Sequence, residues 1–166
     1  MSLQRFWRHL TMSPWQTRRR FPPATREAIT AAVRACEVRH PGEIRFAVEG
    51  ALPLSRLCAG LSPRDRAVEL FAQLRVWDTE HNNGVLIYVL LADRDVEIVA
   101  DRGVGDARVP PDEWRACCRL MEEHFRAGRF EQGAVAGIEA VAAVLARYPP
   151  ARPDAGNELP DAPVFL

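Results

Sequence analysis

The pattern of apolar positions is clearest at residues 85–91, Val-Leu-Ile-Tyr-Val-Leu-Leu, which form an unbroken run of strand length. Its branched and aromatic side chains are typical of a central strand that is covered on both faces. The Asn-Asn-Gly that precedes the run predicts a tight turn. A polar turn at residues 92–95 follows, and residues 96–100 return to strand character, so we expect the two runs to form a β-hairpin.

Upstream of this hairpin, residues 44–48 alternate between large apolar and small or charged side chains, which predicts a half-buried first strand. Apolar residues at helical spacing predict one helix before that strand and another at about residues 63–77. Two more helices are predicted after the hairpin, the first of them beginning at Pro111. The sequence therefore predicts an α/β fold in which a small mixed β-sheet is sandwiched between α-helices.

This order of elements also predicts which polar residues meet. A helix connects the first strand to the central one, so these strands should be parallel, whereas the hairpin makes the third strand antiparallel. The start of the first strand, the start of the central strand and the end of the third strand then share one edge. That edge holds Glu43, Asn83 and Asp101, with Asp78 leading into it and Asp106 leaving it.

Carboxylate and amide oxygens of this kind suit a hard divalent cation such as Ca²⁺ or Mg²⁺, for which Glu43, Asp78, Asn83, Asp101 and Asp106 are the candidate ligands. The alternative is that these residues cap helix ends and face water. Two histidines, His40 and His81, could add nitrogen ligands and favour a transition metal.

Composition and charge bound the remaining possibilities. The 166 residues suffice for one domain, and we divide them into a basic segment (1–21), an α/β domain (22–149) and a proline-rich tail expected to be disordered (150–166). Residues 1–45 carry nine Arg against three acids, whereas the rest carries thirteen against nineteen, so the molecule should be bipolar. Every basic residue is Arg, which excludes lysine chemistry such as Schiff-base formation.

The first residues form an amphipathic pattern. Two readings are open: this predicted helix packs on its own domain, or it docks on an anionic membrane or a membrane-associated protein partner together with the arginines of residues 18–20. Nucleic acid is not expected, because no further basic stripe is present. Without a signal peptide or an apolar run of membrane-spanning length, we expect a cytoplasmic protein, placed peripherally at the inner face of the membrane if the helix docks. The apolar positions of this helix are Leu3, Phe6, Trp7 and Leu10.

The sequence offers no recognisable catalytic nucleophile or binding motif for an organic cofactor. Cys117 and Cys118 lie on the apolar stripe of a predicted helix, so buried, inert thiols are expected rather than metal ligands or a disulfide. Gly103-Val104-Gly105 is only a fragment of a dinucleotide-binding fingerprint. The sequence therefore assigns no catalytic residues.

Several short motifs follow one another over residues 25–149. They are Glu37, Gly42-Glu43-Ile44, Phe71, Asn83-Gly84-Val85-Leu86-Ile87, Val96-Glu97-Ile98, Asp101-Arg102-Gly103-Val104, Trp114, Phe125-Arg126-Ala127-Gly128-Arg129-Phe130, Gly133 and Gly137. In this order they resemble the TPM domain family. The resemblance implies an α/β sandwich, and the family includes members linked to photosystem repair, receptor accessory roles, divalent-metal binding and a proposed acid phosphatase activity.

Two functions follow as hypotheses. The first is a non-catalytic interaction module with a divalent-metal site, acting in the assembly or quality control of membrane-associated partners. The second is a metal-dependent, acid-type phosphatase that works at the predicted acidic edge. The sequence leaves open whether the protein is an enzyme.

Overall fold

A computed structural model describes residues 2–40, 42–105, 107–148 and 156–166. In these ranges four strands form one mixed sheet of order β3-β2-β1-β4, and helices lie on both of its faces. The elements are α1 (Leu3–Thr11), α2 (Pro14–Arg20), α3 (Pro23–Glu37), β1 (Glu43–Glu49), α4 (Leu54–Cys58), α5 (Pro63–Gln73), β2 (Gly84–Leu90), β3 (Asp95–Ala100), α6 (Pro111–Arg126), α7 (Phe130–Arg147) and β4 (Val164–Phe165).

The pairing of the strands confirms the topology expected from the sequence. β1 and β2 are parallel, with Glu43 beside Gly84, and β2 and β3 are antiparallel, with Val85 beside Ala100. The turn between β2 and β3 closes through Arg94, whose backbone is left-handed at φ 57° and whose N–H donates to the Leu91 carbonyl at 3.2 Å. The sheet therefore has two distinct ends, which we call the hairpin end (residues 91–94) and the acidic edge (Glu43, Asn83 and Asp101).

The central strand β2 is buried along its whole length, as its composition predicts. One face of the sheet packs on α3, α6 and α7, and the other packs on α4 and α5. Gly137 allows α7 to lie close to α6, because a Cβ at this position would stand 2.2 Å from the Met121 side chain. Helices on both faces thus keep the apolar side chains of β2 away from water.

β1 differs from the half-buried strand that its alternation predicts. Only Arg45 is partly exposed, whereas Glu43 and Glu49 at the two ends are buried. The sequence pattern suggested that these charged side chains face water. Their burial requires partners for each carboxylate, because an isolated buried charge is strongly destabilising.

The partners of Glu49 form a network under the second face of the sheet. Tyr88 donates its hydroxyl to Glu49 Oε2 at 2.6 Å, and Arg66 donates to both carboxylate oxygens at 2.9 and 3.1 Å. Burial, followed by the Glu49 carboxylate, raises the pKa of Tyr88 far above its usual range, so the phenol keeps its proton and acts as a donor. This buried ion pair connects α5 to the sheet.

The last residues correct the expectation of a disordered tail. β4 pairs in parallel with β1, Leu166 N–H donates to the Val48 carbonyl at 3.0 Å, and Leu159 is buried. Phe165 lies against the Phe21 ring at 5.8 Å and under the Arg26 guanidinium at 4.0 Å. Long-range contacts therefore order residues 156–166 despite their composition, while residues 150–155 lie outside the described ranges.

Within the described ranges, no helix combines the length and the apolar character that crossing a membrane requires.

The Glu49 network gives a prediction about stability. Arg66→Ala should lower the free energy of unfolding by about 3–5 kcal/mol, because it leaves the Glu49 charge buried without a cation. Tyr88→Phe removes only a hydroxyl donor, so its loss should be about 1–3 kcal/mol. The control Arg115→Ala breaks an exposed pair with Asp112 and should change stability by less than about 1 kcal/mol. Urea denaturation measures all three, and equal losses for Arg66→Ala and Arg115→Ala would contradict the network's role.

Candidate functional site

The acidic edge brings together three of the five residues expected to bind a metal. Glu43 N–H donates to the Asn83 carbonyl at 3.2 Å, and Asp101 N–H donates to the Gly84 carbonyl at 2.9 Å. These backbone bonds hold the start of β1, the start of β2 and the end of β3 side by side. The topological argument for their proximity is thus confirmed.

The side chains at this edge are engaged in different ways. Glu43 is 2% exposed, and its Oε2 accepts the Leu159 N–H at 3.0 Å, so the C-terminal segment covers this carboxylate. Asp101 Oδ1 accepts the Arg102 N–H at 2.7 Å, while its Oδ2 is buried with no hydrogen-bond partner among the described residues. Of the three, Asp101 thus keeps a carboxylate oxygen that a ligand could use.

The other predicted ligands do not complete a metal centre in the described part of the chain. Asp78 is exposed on the approach to β2, and Asp106 lies outside the described residues. Residues 2–40, 42–105, 107–148 and 156–166 contain no group of three or more His, Cys, Asp or Glu arranged to hold an ion. Donors from these ranges alone therefore do not fit a closed divalent-cation site.

Two further acids belong to this edge and were not expected there. Burial raises the pKa of Glu37 to about 8, and the negative charges of Glu43 and Asp161 act in the same direction. Glu37 Oε1 accepts the Ile44 N–H at 3.2 Å, which positions it at the start of β1. Glu37 appeared among the family-like residues, whereas Asp161 lies in the segment expected to be disordered and carried no sequence signal.

The hairpin end holds a second cluster, built around Asp93. Arg5 donates to both Asp93 carboxylate oxygens at 2.8–3.0 Å, and His9 Nε2 lies 3.1 Å from Oδ1. His9 Nδ1 accepts the Leu52 N–H at 3.0 Å, so Nε2 is the ring nitrogen that carries the proton. Burial alone would raise the pKa of Asp93, but the contacts with Arg5 and His9 keep it below its usual value.

These contacts orient α1 in an unusual way. The polar side of the helix, with Arg5 and a His9 side chain that is fully buried, faces the protein. Most of the apolar side faces outward: Leu3 is 74% exposed, Trp7 55% and Leu10 47%. We call these three residues the apolar ridge.

Phe6 is the exception among the four apolar positions predicted for this helix. It is half-buried and packs against the core beneath α4 and α5, and its ring meets Trp7 edge-on at 6.4 Å. The expected contact surface of Leu3, Phe6, Trp7 and Leu10 is therefore reduced to Leu3, Trp7 and Leu10. On α2, Trp15 adds an aromatic ring that is 64% exposed.

The four cysteines are free thiols. Cys117 is buried as predicted, whereas Cys118 is only partly buried. Burial raises the pKa of Cys117 to about 11 and that of Cys118 to about 12, which keeps both protonated and poorly nucleophilic at neutral pH. The thiols of Cys117 and Cys118 therefore have a structural role.

Comparison with known proteins agrees with this architecture. The sequence model of the TPM domain family matches residues 17–144. The BA42 protein of the psychrophilic bacterium Bizionia argentinensis, solved by NMR, is 34% identical, with a TM-score of 0.73 over 86% of this chain and 93% of that one.

A more distant structure shares the fold. It is the N-terminal domain of a P. gingivalis protein, also solved by NMR, with 24% identity and a TM-score of 0.55 over 74% of each chain. No curated protein matches this sequence. The family match covers most of the chain, and the BA42 protein exceeds 30% identity over nearly its whole length. The chain belongs to the TPM domain family.

Proposed function

We propose that this TPM domain is a non-catalytic interaction module for membrane-associated assemblies, and that α1 is the element that meets the membrane. The observation that carries the proposal is the apolar ridge, held outward because the polar side of α1 is fixed to Asp93. An amphipathic helix normally buries its apolar side in its own core. A helix held the other way round supports a role for the ridge as a contact surface.

The charges around the ridge favour an anionic bilayer as its occupant. Arg18 and Arg19 are exposed at the end of α2, and Arg94 is exposed at the hairpin end. Among the described residues, none of these three guanidinium groups forms an ion pair with a carboxylate. Each basic residue near an anionic surface contributes about 1 kcal/mol of attraction, and the aromatic rings of Trp7 and Trp15 suit the level of the headgroups.

The proposed contact with an anionic bilayer also implies a cellular location for the protein. The anionic leaflet of a cell membrane faces the cytoplasm, so a module that docks through arginines and a short apolar ridge would work at the inner face. In the docked domain the acidic edge, at the other end of the sheet, would face away from the membrane, toward a protein partner. Assembly or quality control of membrane-associated partners is the role that this orientation supports.

A divalent cation at the acidic edge remains a prediction. Asp101 is the residue that favours it, since its buried Oδ2 lacks a partner among the described residues. If Ca²⁺ or Mg²⁺ binds there, binding must stabilise the fold by linkage. Catalysis by such a site is not required for the proposed role.

The apolar ridge gives the first test of this function. Trp7→Ser should weaken sedimentation with anionic vesicles about tenfold or more, because burying a large apolar side chain contributes about 1.5–3 kcal/mol. Val38→Ser is the matched control, since Val38 is an apolar residue that is 85% exposed outside the ridge. It should bind vesicles as the unmodified protein does.

Two results would contradict the proposal. One is equal vesicle binding by Trp7→Ser and Val38→Ser. The other is a dimer, measured by light scattering without vesicles, that Trp7→Ser dissociates, because a second copy would then cover the ridge.

The cation prediction has its own test. Titration of Ca²⁺ or Mg²⁺ should raise the melting temperature, with a gain of about 2.7 kcal/mol when free metal is a hundredfold above its dissociation constant. Asp101→Asn should abolish that response, whereas Asp112→Asn, an exposed acid on α6, should keep it. An unchanged melting temperature, or equal responses of the two variants, would remove the site. The phosphatase hypothesis has a separate test, hydrolysis of a chromogenic phosphate ester. If the unmodified protein hydrolyses the ester in a metal-dependent way and Asp101→Asn does not, the protein is a phosphatase and not a non-catalytic module.

A further inference from the structure

A cavity of about 450 Å³ opens at the hairpin end, between α1, α2, the β2–β3 turn and the end of α6. Four guanidinium groups line it, and they come from four different elements of the chain. Phe125 and Phe130 supply aromatic walls. We call this the arginine cavity, and its basic residues are Arg8, Arg20, Arg94 and Arg126.

The positive charge in the cavity is only partly compensated. Within the described residues, no carboxylate forms an ion pair with Arg20, Arg94 or Arg126. Arg8 reaches Asp93 at 3.5 Å through one terminal nitrogen, but its Nε is buried and has no hydrogen-bond acceptor in the described ranges. A buried donor without an acceptor costs free energy.

Two acids also line the cavity, and they leave an excess of positive charge. Four arginines against Asp95 and Glu122 give a net +2. Glu122 is partly engaged, since its Oε1 accepts the Val96 N–H at 3.3 Å. Burial raises the pKa of Asp95 to about 6, with the neighbouring acids acting in the same direction, so this carboxylate approaches neutrality in mildly acid solution.

Arg20 shows the effect of placing several arginines close together. Burial first, and then the charges of Arg94 and Arg19, lower the pKa of its guanidinium. Its side chain stacks over Phe130 at 5.6 Å and contacts the Met12 sulfur at 3.1 Å. Those contacts hold the guanidinium in place without neutralising it.

We propose that the arginine cavity binds the phosphate group of a phosphate monoester. Guanidinium groups donate pairs of hydrogen bonds that match phosphate oxygens, and several of them around one anion are typical of phosphate recognition. A monoester near −2 at neutral pH matches the net +2 of the lining. The opening lies beside the apolar ridge, since Arg8 and Thr11 of α1 form part of its wall.

The phosphate can come from a lipid headgroup or from a soluble ester. The cavity's preference for phosphate stands on its lining alone. The choice of a lipid as its source rests on the proposed function, since only a docked α1 would bring headgroups to this opening.

Inorganic phosphate, titrated at constant ionic strength and followed by NMR, tests the site. Signals of the cavity residues should shift and saturate, and Arg126→Gln should weaken binding about tenfold. Arg94→Asn should do the same, and Asn tolerates the left-handed backbone at this turn. Arg119→Gln removes an exposed charge from the same helix, α6, and should leave binding unchanged. No saturable shift, or equal effects of Arg126→Gln and Arg119→Gln, would overturn the proposal.

Vesicles then identify the source of the phosphate. At equal surface charge, vesicles with a phosphate-monoester lipid should bind more tightly than vesicles with a phosphodiester lipid, and Arg126→Gln should remove the difference. Saturable binding of inorganic phosphate without that difference would assign the cavity to a soluble ester.

The proposal for the apolar ridge and the proposal for the arginine cavity can be refuted independently. Trp7→Ser should lose vesicle binding and still bind inorganic phosphate. If vesicle binding depends on Trp7 but not on Arg126, and inorganic phosphate does not bind, the membrane module stands and the phosphate site in the cavity is overturned.

Discussion

The carboxylate of Asp93 determines which side of α1 faces the protein and which side is exposed. It lies in the turn between β2 and β3, where the Arg5 guanidinium binds both of its oxygens and His9 approaches one of them. Its side chain is 6% exposed, so these charges interact in a partly dry environment where pairing is strong. Because the polar side of α1 is bound here, most of its apolar side, namely Leu3, Trp7 and Leu10, is left outside the core. The exposed ridge follows from the contacts of α1 with Asp93.

The two ends of the sheet consequently differ in chemistry. The hairpin end combines an apolar ridge with the arginine cavity, whereas the acidic edge gathers carboxylates under the C-terminal segment. We propose that one end meets an anionic surface and that the other end meets a cation or a protein partner. The TPM fold provides the rigid sheet that keeps the two ends apart.

The sequence predicted the fold well because local signals were strong. Residues 85–91 have the composition of a covered strand. The helix before them implied the parallel pairing with β1, and the turn after them implied the antiparallel pairing with β3. From these pairings alone the proximity of Glu43, Asn83 and Asp101 followed. The engagement of the Glu43 side chain did not follow, since its partner is the backbone of Leu159, over a hundred residues away.

The sequence left the direction of α1 open and missed the order of the tail, for related reasons. Helical spacing predicts a helix but not which side packs, and the usual rule puts the apolar side inward. The rule fails here because the deciding partner, Asp93, is distant in sequence. Likewise, a tail rich in proline has the composition of disorder, yet hydrogen bonds from Arg45 to the carbonyls of Pro160 and Ala162 hold it to the strand. Long-range polar contacts of this kind leave no local pattern.

We propose that the hairpin end faces the membrane. Hydrogen–deuterium exchange of the unmodified protein, with and without anionic vesicles, maps the contact directly. Vesicles should slow exchange in residues 3–20 and in the turn at residues 91–94, while the acidic edge at residues 78–83 and 101–105 exchanges as before. Protection at the acidic edge instead, or no change in residues 3–20 while the protein is bound to vesicles, would contradict the account.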